Sequence, residues 1–489
     1  VVLSVAMTAW VYFRLTRVYF VSDDLANMLT IVNRGFWYFV FQPFGGHMLF
    51  LRNLLFGLTY EVFGLKAEAY DWSVFLTHLV NVVLVFRVTR ALASSSVIGA
   101  FAATLWGASP LQEGALGWYS VYGQVVAATL YLYVLDRLVA EKEDADVPLR
   151  AALVWAGALV LGATCFGVGI AAALSAPVVV ALLRPRAVRE RVLRGVFLSL
   201  PPAVAGLYLG WRWIFFSFVE PAPFAEAVVF QLAFSDIMAT FVMFGHLLAV
   251  GTSGLLRGFF FPIEMFHPAP APLAALVVVY AAIIVAGFVV ADSRTRLRLC
   301  AMLVFAAAIY GMIALGRANT YKMFGTAADV AARTGRYHYM GTVPLAMALG
   351  LSIAEIGRRA WVPQLLPALS FAACLCLLGY SRAVSSWALD ERESCRAYVT
   401  TALRDLVTTI DAQPANTDVY IPNTPLPVYV TVFMGYDAVP GPAALYALAY
   451  PTDELHGRRV HFVEEPDKKG MFADPKNHRL SKLLVASRG

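Results

Sequence analysis

The chain has 489 residues, 60% of them hydrophobic and 14% charged, with a formal net charge of +6 and a mean hydropathy of +0.67. A soluble chain carries roughly a quarter charged residues, so a water-soluble globular protein is excluded. The apolar residues come in continuous blocks rather than alternating, which excludes a membrane β-barrel and leaves a polytopic α-helical membrane protein.

Apolar segments are predicted near residues 1–20, 72–90, 96–112, 118–136, 150–166, 167–183, 195–215, 272–291, 299–316, 339–356 and 363–380, about eleven spans. The first is not read as a cleaved signal. No small-residue cleavage site follows it, and an acidic pair does. The chain begins at Val1 without Met, so a short preceding piece is expected.

The charged connections set orientation. Arg87 and Arg90 follow the second span, and Arg137, Lys142 and Arg150 follow the fourth. Arg184, Arg186, Arg189, Arg191 and Arg194 follow the sixth. Arg294, Arg296 and Arg298 follow the eighth, and Arg358 and Arg359 the tenth. With eleven spans all five clusters fall on one face, which the positive-inside bias makes cytoplasmic. The first outer loop (21–71), the loop at 214–271, the late loop (317–338) and the tail after 380 then face outward.

Two segments test this count. Residues 236–256 are apolar enough to span, but a twelfth span would place Arg294, Arg296 and Arg298 outside. A helix at, or dipping into, the outer interface is expected instead. Residues 36–64 open with the aromatic run Phe36-Trp-Tyr-Phe-Val-Phe41 and are read as a surface-buried part of the first outer loop. Beyond Tyr380 the chain gains charge. A helix at 390–411 and strands near 419–421, 428–433 and 460–463 predict a small outward α/β domain at 381–489, after a membrane domain at 1–380. Five cysteines show no metal-ligand spacing and imply no disulfide framework.

The outer loops hold a sparse polar set. Asp23, Asp24, His47 and Arg52 come from the first loop. Glu113 comes from Pro110-Leu-Gln-Glu-Gly, followed by Trp118 and Tyr119. Arg317, Asn319, Tyr321, Lys322, Arg333, Arg336 and His338 come from the late loop. Acids come early and bases mostly late. If they converge, a carboxylate faces a cationic pocket, an arrangement suited to moving a group off a phosphate leaving group. Each residue also has a plainer role. Glu113 can be a solvated loop acid, His47 a helix cap and Arg52 a snorkelling side chain. Arg317, Lys322 and Arg333 read as surface or anionic-lipid contacts. Arg336 and His338 stand out, because they are basic residues on the outer side, against the charge bias. Asp236 and His246 are weaker candidates, and Arg14 and Arg17 are read as snorkelling.

In order, Ser22-Asp23-Asp24, Pro43-Phe-Gly-Gly-His47 with Arg52, Tyr60-Glu-Val-Phe-Gly-Leu65, Thr77-His-Leu-Val-Asn81, Pro110-x-x-Glu113 with Trp118, and Gly335-Arg-Tyr-His-Tyr339 form a pattern. It resembles the bacterial GT-C glycosyltransferases, membrane enzymes related to protein mannosyltransferases and lipid A aminoarabinose transferases. The resemblance covers roughly residues 1–135 and 317–356. It implies transfer of a sugar from a polyprenyl-phosphate carrier to a lipid, glycan or protein acceptor, usually with inversion, at the outer face of a bacterial inner membrane. By the same resemblance Asp23 or Asp24 is the catalytic base, with Asp23 favoured, and Glu113 is the second-loop acid. Arg336 binds the carrier phosphate, with His338, His47 and Arg52 nearby. Some relatives hold a divalent cation such as Mg or Mn, for which Asp23, Asp24 and Glu113 are the available ligands; others need none. The chain lacks the Trp-Trp-Asp type motif of oligosaccharyltransferases, which disfavours en bloc transfer to asparagine. Membrane lipids are expected partners, partner subunits remain open and no nucleic acid is implied. The alternatives are a transporter or flippase of a lipid-linked glycan, or a catalytically silent subunit. Charges at span ends rather than mid-span weigh against the first, and the acid pair with the Arg-Tyr-His-Tyr run against the second.

Overall fold

The structure, a computed structural model, describes residues 1–20, 23–44, 46–141, 146–219, 235–260, 270–323 and 325–359, with scattered shorter stretches beyond. The helices are α1 (Val2–Tyr12), α2 (Asp23–Arg34), α3 (Phe36–Phe41), α4 (Phe50–Phe63), α5 (Ala67–Ala93), α6 (Ser96–Gly107), α7 (Glu113–Leu116), α8 (Tyr122–Ala140), α9 (Leu149–Ala163), α10 (Gly167–Leu183), α11 (Arg191–Phe218), α12 (Ile237–Phe260), α13 (Pro270–Val290), α14 (Ser293–Met323), α15 (Ala328–Ala332) and α16 (Thr342–Arg359). Among the described residues, six helical stretches are long and apolar enough to cross a membrane: 67–93, 119–140, 191–218, 237–257, 273–290 and 293–323. Helices α6, α9 and α10 are shorter but apolar. Large apolar side chains such as Leu198 and Trp213 on α11 and Val278 and Val289 on α13 are exposed. In a chain this apolar such a surface is what lipid covers. The protein is a polytopic helical membrane protein.

The basic clusters gather at one end of the bundle. Arg87 on α5 pairs with Asp136 on α8 at 2.9 Å, and Arg184 with Glu190 at 3.2 Å. Arg298 donates to the Leu92 carbonyl and Arg358 to the Ala93 carbonyl, each at 2.7 Å. These guanidinium groups satisfy the open carbonyls at the C-terminus of α5 and offset its negative dipole end. The loops at 23–66, 108–121 and 317–341 meet at the other end.

The bundle is stitched through one buried polar cluster. His78 on α5 bonds the Tyr339 hydroxyl at 2.8 Å and the Gly107 carbonyl at 2.9 Å. Asn81 donates to the same hydroxyl, and the Trp106 indole donates to the Tyr339 carbonyl. The Thr77-to-Asn81 and Arg-Tyr-His-Tyr339 motifs are therefore two sides of one contact.

Helix α12, read from the sequence as lying at the outer interface, satisfies length and composition for a span, and both its ends touch the loops. Asp236, just before it, pairs with Lys322 at the end of α14. Its Gly254 abuts Leu111 in the loop before α7. Helix α11 ends, and α13 begins, at this same end. The first predicted span differs more. Helix α1 stops at Tyr12, and Phe13–Arg17 form a 3-10 turn. Arg14 is not snorkelling there; it binds Asp390 at 2.5 Å and Glu393 at 2.6 Å in the tail. The predicted eleventh span and most of the tail helix lie outside the described residues. In the tail, β1 (Asp418–Pro422) pairs in parallel with β4 (Arg459–Val463), and β2 (Val432–Met434) pairs antiparallel with β3 (Asp437–Val439).

The packing of α13 on α16 gives a test. A Cβ at Gly287 would fall 2.4 Å from the Ser352 Cβ, whereas one at Gly210 on α11 meets nothing within 4 Å. Gly287→Val should cost about 1–3 kcal/mol by overpacking, read as a lower unfolding temperature in detergent. Gly210→Val should not.

Candidate active site

The first loop is fastened to the second by a buried polar network. Helix α2 opens with Asp23 and Asp24, acids that suit the positive end of a helix. Asp24 is only 1% exposed. Its Oδ1 accepts from the Ser120 backbone N–H at 2.6 Å and the Ser120 hydroxyl at 2.5 Å. Asn27, one turn along, donates to the Ser120 hydroxyl oxygen at 2.8 Å. Arg52 of α4, itself buried, donates to the Ser120 carbonyl at 2.9 Å, to Asn53 at 2.6 Å and to Asn27 at 3.3 Å. Its guanidinium also lies over the Phe56 ring at 5.3 Å. Burial pushes the Arg52 pKa down to about 10, with Asp24 and Asp23 opposing. It stays a cation at neutral pH.

Asp24 is thus taken up in holding the loops together. Asp23 is half-buried beside the cations. Burial raises its carboxyl above the usual range, against the pull of Arg52, Arg336 and Arg317. Three arginines from α4, α14 and the late loop thus act through charge on one carboxylate from α2. Arg336 is held over the Trp118 ring at 4.5 Å and the Tyr337 ring at 5.2 Å. Its backbone is set by Gly114, where a Cβ would meet the Arg336 nitrogen at 2.7 Å. The second loop thus has to carry glycine directly after Glu113. Arg317 bonds His47 Nε2 at 2.7 Å, so that nitrogen accepts. Burial, then Arg317, Arg336 and Arg52, holds His47 well below its usual pKa, hence neutral. His47 stacks on Phe166 at 4.5 Å.

From this cationic cluster a cavity of about 380 Å³ runs between α10, α11 and α14. His47, Arg317 and Tyr337 line it along with Gln124, and most of its wall is apolar, from residues such as Leu174 and Leu209. Burial would raise the Tyr337 phenol, but the charges of Arg317 and Arg336 together with hydrogen bonds from Tyr321 and Arg336 hold it below its usual value. Of the charged cluster, Arg317 is the member that reaches the wall of this apolar slot, with neutral His47 beside it.

The structure brings Asp23, Arg52, His47 and Arg336 to one place, with Glu113 beside the Arg336 backbone. His338 goes elsewhere. It is fully buried, with Nε2 on the Ala332 carbonyl at 2.7 Å and Nδ1 on the Tyr310 hydroxyl at 3.1 Å. Burial pushes its pKa down to about 4. It braces the late loop as a neutral ring. Lys322 and Arg333 pair with Asp236 and Asp329 at the surface. Arg317, read from the sequence as a surface or lipid contact, is a member of the site. Its signal was the one that singled out Arg336: a basic residue at the loop end of an apolar helix. Ser120 carried no signal, because its role is made by backbone and hydroxyl groups that meet only in the fold. No group of three His, Cys, Asp or Glu side chains among the described residues is placed to hold a metal ion, and Asp24 Oδ1 is already engaged. Among the described residues Asp23, Asp24 and Glu113 are not gathered as a three-ligand group.

The two acids should separate in stability measurements. Asp24→Ala leaves the Ser120 donors unsatisfied and should cost about 1–3 kcal/mol. For Asp23 the raised pKa means that the charged form is disfavoured on folding. Its favourable contribution is full below the unfolded carboxylate pKa of about 4 and is lost as pH rises through the folded value. Asp23→Asn should therefore raise the unfolding temperature at neutral pH and lose that advantage below about pH 4.

No family profile and no curated protein sequence matches the chain. Among solved structures, the chain is similar to ArnT from Cupriavidus metallidurans bound to undecaprenyl phosphate. The TM-score is 0.51 and the identity 14%, over 95% of this chain and 93% of that one. It also matches the Archaeoglobus fulgidus oligosaccharyltransferase tethered to an acceptor peptide, with a TM-score of 0.42 and 11% identity, over 94% of this chain but only 63% of that one. The helical bundle, with its loops gathered at one end, shares the overall fold of the ArnT structure.

Proposed function

We propose that the protein is a glycosyltransferase that moves a sugar from a polyprenyl-phosphate carrier to an acceptor hydroxyl at the loop end of the bundle. The observation that carries this is the apolar cavity lined at one side by Arg317 and His47, with Asp23 and Arg336 coupled to that pair through charge. A polyprenyl tail matches the slot and its phosphate matches the guanidinium cluster. ArnT, the similar structure, is bound to undecaprenyl phosphate, and this supports the same ligand class here.

In this reading the acceptor oxygen attacks the anomeric carbon as its bond to the phosphate oxygen breaks. The electron pair leaves on the phosphate, where Arg336 and Arg317 stabilise it. The acceptor proton passes to Asp23, whose burial raises its basicity. A single displacement inverts the sugar. Asp24 and Arg52 fix the loop that carries the base, and Glu113 sits where it can orient the acceptor. The basic face is then cytoplasmic, the membrane a bacterial plasma membrane crossed about eleven times, and the site and the small tail domain lie outside.

The test is release of free polyprenyl phosphate from a panel of radiolabelled polyprenyl-phosphate sugars by the protein in nanodiscs. Asp23→Asn should lower release by about 10²–10⁴-fold while leaving membrane insertion intact. Normal release by this variant would overturn the mechanism. In the wild type, activity should fall as pH drops through the Asp23 pKa, above the usual carboxylate value of about 4. Arg317→Gln removes one influence holding that pKa down, so the acid limb should move to higher pH.

A further inference from the structure

A second cavity lies at the basic end of the bundle, opposite the site described above. It holds about 250 Å³ between the last turns of α5, α8 and α10 and the first turns of α14. Three guanidinium groups line it. Arg184 follows α10, and Arg294 and Arg298 stand one turn apart on the same face of α14. Glu141, which follows α8, is the one carboxylate on its wall among the described residues. The other acids nearby are already bonded. Glu190 pairs with Arg184 and Glu355 with Arg358, and Asp292 caps α14 by accepting from the Thr295 N–H at 2.7 Å.

Helix capping explains part of this cluster. Arg298 donates to the Leu92 carbonyl near the end of α5, and Glu190 fixes the buried Arg184. Arginines that served only as caps would close the gap between the helix ends, whereas these wall a hollow. A guanidinium carries five N–H donors, so one carbonyl or carboxylate partner does not exhaust it. Three such groups around one small space suit a tetrahedral oxyanion, since a planar carboxylate is met by a single bidentate pair. Leu92 and Leu138 share the wall and suit the first carbons of a phospholipid. Basic pockets between membrane helices hold phospholipid headgroups. We propose that this cavity is an anion site separate from the reaction, taking a phosphate group carried on an anionic phospholipid or free in solution.

The experiment follows the unfolding temperature of the full chain in an uncharged detergent. Phosphatidylglycerol or, at matched ionic strength, sodium phosphate is added. At least one of the two should bind the wild type saturably. Arg294→Gln should weaken that binding about tenfold. Arg296→Gln removes the same charge from the same end, but Arg296 donates to the Phe288 and Val289 carbonyls and is not on the cavity wall, so it should leave binding unchanged. Phosphatidylglycerol binding without sodium phosphate binding identifies a lipid headgroup. Sodium phosphate binding, alone or with the lipid, identifies the phosphate group itself. Equal loss in the two variants means ordinary surface charge and overturns the proposal. Binding untouched by Arg294→Gln places the anion elsewhere and also overturns it, as does no binding of either probe. Should Arg294→Gln fail to fold, Arg294→Lys keeps the charge, removes the planar fork and should weaken binding by a smaller factor. Failure of both to fold makes Arg294 a structural residue and overturns the proposal.

Discussion

The hydrogen bonds from Ser120 to Asp24 are the constraint on which the rest of the site depends. They join the first loop to the second, and through the Ser120 carbonyl they hold Arg52 as well. A charged acceptor in a buried place is costly unless its bonds are made. Here Asp24, Asn27, Arg52 and Asn53 satisfy one another, so a loop of some forty residues acquires a fixed shape. Asp23, the next residue, inherits that position without spending its own oxygens on it. Adjacent carboxylates thus differ, Asp24 fastening the two loops and Asp23 left beside the cations.

Electrostatics then runs along the bundle. At one end arginines cap helix termini and pair with Asp136, Glu190 and Glu355. At the other Arg52, Arg317 and Arg336 act on the Asp23 carboxylate and on neutral His47, and Arg52 on Asp24 as well. Burial and cations pull the Asp23 pKa in opposite directions, and burial prevails. Such tension is found at working sites more often than in plain ion pairs. The aromatic seat of Arg336 on Trp118 and Tyr337 keeps the guanidinium in place without pairing off its charge.

Much of this was legible from residue type and order. Apolar run length gave the membrane class. The arginine clusters gave a common face, and the helix ends bear that out as shared geometry. The charge argument put 236–256 at the outer interface, whereas the helix there has the length and hydropathy of a span. What sequence could not show was which partner each polar group finds. Asp23 and Asp24 are chemically identical neighbours, and only Ser120 tells them apart. His338 and Arg336 sit two residues apart, and the short turn at Gly335–Tyr337 sends one inward to Ala332 and the other over Trp118. Arg14 looked like a residue reaching for lipid because its partners lie more than 370 positions away in the chain.

Arg317 and Arg336 are the proposed seat of a lipid-linked phosphate. The most direct measurement is the affinity of undecaprenyl phosphate for the wild type and for the Arg317→Gln, Arg336→Gln double variant in nanodiscs of uncharged lipid. The account predicts a loss of more than tenfold at low salt, since each charge-assisted bond is worth about 1.5–3 kcal/mol. Equal affinity in the two proteins would contradict it.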